Sequence, residues 1–118
     1  MKVTILGTEY TVIKKKYDQE RLFKKRSIDG YCDDQLKEIV YCDMSTYPRF
    51  GNESKDYVVE CEKHTLRHEI VHAFYSEAGL RNSALVVDGA WSTNEENVDW
   101  LAIQIPKIYK AFKEVGCI

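Results

Sequence analysis

No stretch of this 118-residue chain is apolar for long enough to span a bilayer. Met1 to Gly7 carries too short an apolar run for a secretory signal, so a cytoplasmic protein with no membrane partner is expected. A large excess of charge is missing too. The formal net charge of -2 argues against a chain whose main business is gripping nucleic acid. The runs Lys14-Lys15-Lys16 and Lys24-Lys25-Arg26 therefore read as solvated faces. Cys32, Cys42, Cys61 and Cys117 include no CxxC pair, which argues against a zinc ribbon. In a cytosolic chain thiols stay reduced, and all four read as small buried hydrophobes, with Cys32 and Cys42 on neighbouring strands. Repeats and low-complexity tracts are absent. The length leaves room for one domain, residues 1–118, with a modest core.

What is present has an α+β order. Lys2 to Leu6 and Tyr10 to Lys16 are rich in β-branched residues around Gly7-Thr8, the pattern of a hairpin. Asp18 to Arg26 is a short polar connection or helix. Ile28 to Cys32 and Lys37 to Asp43 read as two more strands, turning through Asp33-Asp34-Gln35. Met44 to Ser54, with Pro48 and Gly51, is a loop. Asp56 to Ala78 is a long helix ended by Gly79. After a loop over residues 82–89, a second helix starts with Ser92 or Thr93 as N-cap and runs toward Val115. Thr93 and Glu96 form a capping-box pattern, and Pro106 should kink or split this helix at Ile105. The expected fold is a small antiparallel sheet packed on the long helix and on a second, C-terminal helix. Trp91 and Trp100 are expected as core anchors.

The chemistry concentrates at His68-Glu69-Ile70-Val71-His72, an HExxH inside the long helix. Residues four apart share one helical face, so the two imidazoles can converge on one ion. Glu69 falls beside them, where a carboxylate can act as general base toward water at an open metal position. The alternative is two histidines and a glutamate on the wet face of an amphipathic helix, but the residues between and just after the histidines are uncharged. His64 extends the series, yet eight residues of helix span about 12 Å, too far for all three imidazoles to share an ion. It lines a cleft or faces solvent. A zinc hydrolase wants three protein ligands, so a third donor must come from elsewhere. A third histidine six residues after the second is ruled out by Ala78, as is the glycine turn before it by Tyr75.

Residues Asn94 to Ala102 offer Glu95 and Asp99, one helical turn apart. The pairing of HEIVHAF with ExxVDxxA resembles the ExxAD or ExxAN motif of small gluzincins, especially the ImmA/IrrE-like metallopeptidase domains and similar short phage-borne proteins. The resemblance covers roughly residues 28 to 113, including a Gly30-x-Cys32-Asp33 segment that looks like the hairpin before the metal helix. Val98 stands where the family usually has alanine, and Asp99 where its closest members commonly have asparagine. The resemblance implies a minimal zincin-like fold, with Zn2+ held by His68, His72 and Glu95. Asp99 would orient a ligand histidine, and Glu69 would serve as catalytic base. Glu96, next in sequence, is the competing ligand; only Glu95 has a partner at i+4. Tyr57, Tyr75 and Tyr109 are the candidates to stabilise an oxyanion. The implied function is zinc-dependent hydrolysis of peptide bonds in an intracellular protein substrate, often a repressor or regulator, and a peptide is expected to lie along the strand Lys37 to Asp43. The alternative is a zinc-stabilised protein-binding module without turnover. A third reading is an α+β interaction protein with no metal.

Overall fold

Leu6 and Gly7 take positive φ angles of 46° and 88°, the two-residue turn whose twist matches that of paired strands. It folds β1 (Lys2–Ile5) back on β2 (Thr8–Lys15), with Ile5 opposite Thr8. A second hairpin joins β3 (Gly30–Asp33) to β4 (Glu38–Cys42). Its turn is closed by Asp33, whose Oδ1 accepts from the backbone N–H groups of Gln35 and Leu36 at 3.0 and 2.9 Å. The computed structural model describes residues 1–82 and 90–118, so the loop expected over residues 82–89 lies, from position 83 on, outside the described residues.

The α+β class is as expected, but the sheet is mixed and not antiparallel throughout. Its order is β1-β2-β4-β3, with β2 and β4 parallel, Ile13 beside Val40. After β2 the chain makes a 3-10 turn, Tyr17–Gln19, and the short helix α1 (Arg21–Arg26). It then runs along the outer strand β3 before entering β4 beside β2. Turn residues specify each hairpin locally, whereas the way two hairpins meet is a long-range choice that they do not encode.

β4 is paired on both sides and feeds two core clusters through alternate side chains. Ile39 joins Ile5, Tyr10, Val12 and Ala73, while Val40 and Cys42 join Phe23 and Met44. The long helix α2 (Lys55–Glu77) covers this sheet. It starts at Ser54, whose hydroxyl accepts from the Tyr57 N–H, and Gly79 beyond its end has φ 75°. Leu66 and Ile70 of α2 pack on the first cluster, Val58 and Cys61 on the second. At its last turn Glu77 accepts from Lys37 and from the Thr8 and Tyr10 hydroxyls, pinning the helix end to β2 and the second hairpin.

The C-terminal helix α3 (Glu95–Glu114) begins later than expected. Asn94 is its N-cap, accepting from the Asn97 N–H at 2.9 Å, while Thr93 ends a 3-10 turn and bonds the Ala90 carbonyl. Glu96 thus falls at the second helical position instead of the third, and the capping box with Thr93 does not form. Nor does Pro106 split the helix, which continues to Glu114. Proline cannot donate to the carbonyl four residues back, and that carbonyl, Ala102, accepts instead from Arg67 Nε at 2.9 Å. The group freed by Pro106 becomes a tie between α2 and α3. Trp91 and Trp100 are not core anchors, being 61 and 55 % exposed; Trp91 lays its ring edge-on against Tyr75. Among the cysteines only Cys42 is fully buried, Cys32 and Cys61 are half-buried, Cys117 is exposed, and all four are free. Among the described residues, no helix is long and apolar enough to cross a membrane.

Candidate metal centre

His68 and His72 stand one turn apart on the face of α2 that meets α3. Their Nε2 atoms approach to 3.2 Å with the rings edge-on, centroids 4.9 Å apart. Two nitrogens with lone pairs aimed at one point do not attract each other, so the arrangement asks for a third party between them. Glu95, the first residue of α3, supplies a carboxylate: its Oε2 lies 2.8 Å from His68 Nε2 and 3.3 Å from His72 Nε2. These three atoms form a triangle with edges of 2.8, 3.2 and 3.3 Å. A tetrahedral ion with bonds of 2.0–2.1 Å has ligand–ligand edges of about 3.3 Å. The donor set, two imidazole nitrogens and one carboxylate oxygen, suits a borderline divalent cation.

Asp99, one turn along α3, fixes the ring that faces it. Its Oδ1 lies 3.3 Å from His68 Nδ1, and an Nδ1–H donated there leaves Nε2 bare and turned to the centre. The same oxygen is 2.6 Å from His64 Nε2. Burial works to raise the Asp99 carboxyl, and the hydrogen bonds from His64 and His68 outweigh it, holding the group below the ordinary carboxylate value. His64 thus joins the site as a partner of Asp99 and not as a fourth donor to the centre. Burial is also what lowers His72, favouring the neutral imidazole that can bind metal. Glu96 is exposed and makes no hydrogen bond among the described residues, which leaves Glu95 as the carboxylate that converges with the histidines.

Glu69 is buried, only 6 % exposed, and no hydrogen bond from a described residue reaches it. Burial first, and then the charges of Glu95 and Asp29, push its carboxyl up to about 8. The sheet makes room for it at Gly30. A Cβ on Gly30 would stand 2.7 Å from Thr65 Cγ2 and 3.2 Å from Glu69 Cγ, so glycine is what lets α2 lie this close to β3. Thr65 also donates to Asp29 Oδ2 at 3.2 Å. The result is a cleft of about 540 Å³ between β3, α2 and the start of α3, containing His64, His68, Glu69, His72, Glu95 and Asp99. That size lies in the range of small-ligand sites.

Several expectations move once the side chains are placed. Tyr57, Tyr75 and Tyr109 do not line the cleft. Tyr57 packs edge-on with Phe50, Tyr75 accepts from Asn97 Nδ2, and Tyr109 sits far along α3 beneath Lys113. Gly30, from the segment expected as the hairpin before the metal helix, lines it, as do Arg81 and Asp29, neither of which carries a recognisable spacing in the sequence. Arg81 shares its guanidinium with Asp34 at 3.2 Å. A peptide cannot pair with β4, because β2 and β3 occupy both of its edges; β3 is the outer strand on that side. Asp29 and Cys42 are hydrogen-bonded opposite each other, so by alternation the backbone groups of Gly30 and Cys32 face away from β4, and both residues line the cleft. Of the basic runs, Lys14 is paired with Glu62 and Lys15 with Glu20.

Comparison with protein-family models, curated proteins and solved structures yields no match for this chain.

Proposed function

We propose that the protein is a zinc-dependent peptidase of minimal gluzincin type, acting on a protein or peptide inside the cell. The reading rests on one observation: the donor atoms of His68, His72 and Glu95 converge at tetrahedral edge lengths, with the carboxylate of Glu69, which receives no hydrogen bond from a described residue, in the same cleft. Zn2+ bound by those three side chains would supply Lewis acidity, lowering the pKa of water and taking up negative charge on a peptide oxygen. Glu69 accepts the proton from the attacking water and returns it to the leaving amine. Its burial raises its basicity, and a cation held by the three ligands would favour its ionised form. Asp99 holds His68 in the tautomer that binds, with His64 holding Asp99. An extended substrate pairs with the outward backbone groups of β3, which orient it across the centre without reading its sequence.

Tyr57, Tyr75 and Tyr109 lie outside the cleft, and Tyr31, which lines it, donates its hydroxyl to Glu20; this favours a second reading, a zinc-stabilised module that binds a protein and does not turn it over. Metal analysis of protein purified without added zinc tests what the two readings share: about one zinc per chain is expected. His72→Ala should lose that metal and, with it, thermal stability, since an ion that binds only the folded state stabilises it. Unchanged metal content in that variant would remove the site. If zinc is present but an unbiased peptide library remains uncut, the module replaces the enzyme.

A further inference from the structure

The apolar pattern of α3 continues beyond the point where its partners end. Val98 and Ala102 are buried, but Ile105, Tyr109, Phe112 and Val115 farther along are 47, 52, 45 and 77 % exposed. Leu101, Ile105, Ile108, Phe112 and Val115 recur at alternating steps of four and three, the spacing of a helix seam that meets another helix. The positions flanking that seam, Ala102 and Tyr109 on one side and Gln104 and Ala111 on the other, carry no charge. Lys107, Lys110 and Glu114 point to the opposite side of the helix. The Cα radius of gyration is 15.5 Å, against about 13.5 Å for a compact chain of this length, as a helix end reaching past its own domain would produce.

We propose that this seam is the contact surface between two copies of the chain. Identical faces can meet there because the seam and its flanking positions are uncharged, with Lys113, whose ammonium lies 5.2 Å over the Tyr109 ring, standing at the rim. The exposed Ile105, Tyr109, Phe112 and Val115 offer on the order of 400 Å² per copy, judged from full aromatic side chains of about 150–250 Å². That is the area of a weak, reversible dimer and not of an obligate one. A membrane surface is the competing occupant, since lysines lie on the far side of an apolar stripe. The stripe is a narrow seam, however, and a net charge of -2 opposes approach to anionic lipid.

Sedimentation velocity on the full chain over about 1–200 μM, the range where a weak interface associates, should show the mass rise from 13.8 kDa toward twice that value. Ile105→Glu combined with Phe112→Glu should hold it at one chain. Phe112→Ala adds no charge and should weaken association about tenfold with the far-UV circular dichroism unchanged, which separates a lost contact from a lost helix. Lys107→Glu on the opposite side should leave association as it was. A single-chain mass across the whole range overturns the proposal, and so does a doubly substituted protein that still pairs. A monomer that co-sediments with anionic vesicles would give the seam to lipid instead.

Discussion

Glu69 and Glu77 belong to one helix, eight residues apart, and both turn toward the sheet, yet their surroundings are opposite. Glu77 receives Lys37, the Tyr10 hydroxyl and the Thr8 hydroxyl, and these hydrogen bonds, led by that of Lys37, hold its carboxyl down to about 2. Glu69 receives no hydrogen bond from a described residue, and burial lifts it to about 8. One carboxylate is spent on attaching α2 to the sheet. The other is buried at a cost to folding and left open toward a cleft. A buried acid without donors is what a general base requires and what a structural residue avoids.

The sharpest way to break this contrast is to neutralise each glutamate. Glu69→Gln should keep fold and zinc while peptide hydrolysis falls at least about a hundredfold. Glu77→Gln should leave hydrolysis within a few-fold and lower the thermal midpoint instead. Equal cleavage by Glu69→Gln and the parent protein would take Glu69 out of the mechanism, and the contrast with it.

The carboxylates of α3 give the next largest effects. Glu95→Gln should weaken zinc binding most, by more than about a hundredfold, because it removes a donor. Asp99→Asn should cost roughly ten- to a hundredfold through the orientation of His68. Exposed Glu96→Gln should leave zinc affinity intact in a competition titration with a chelator. Loss of zinc from Glu96→Gln with retention by Glu95→Gln would shift the ligand by one residue and cancel the role of Asp99.

Gly30→Ala probes the contrast from the sheet side. The added methyl meets Thr65 and Glu69, so α2 must move off β3 at the base and not at the far end where Glu77 is anchored. A destabilisation of about 1–3 kcal/mol is expected, together with a fall in hydrolysis; chemical denaturation and the cleavage assay report them separately. An unchanged protein would mean that the close approach at Gly30 does not matter.

The smallest effect is one of pH. The Glu77 carboxyl lies lower in the folded chain than its ordinary value of 4.5, so the stability it contributes is complete above that value. It is lost as pH falls through the window down to about 2. Thermal midpoints measured across that window should fall less steeply in Glu77→Gln than in the parent; parallel curves would show that the three donors do not hold Glu77 as placed.

Spacing along a helix is a local property, and so the heart of the centre was legible before folding. His68 and His72 share a face through their four-residue separation, as do Glu95 and Asp99, and the structure brings those two faces together. Both hairpins and both long helices follow from turn residues and periodicity, while the N-cap of α3 fell at Asn94 and not at the expected Ser92 or Thr93. What tertiary structure decided is everything that depends on residues far apart in the chain. The parallel meeting of β2 with β4 buries the strand that sequence order favours for a peptide and leaves β3 outermost. Gly30, Asp29 and Arg81 reach the cleft from elements whose relative placement no short pattern records. The tyrosines went the other way, since being near the motif in sequence does not set the direction of a side chain. Even Pro106, which by itself predicts a broken helix, becomes a joint between helices only because Arg67 lies opposite the carbonyl that proline leaves free.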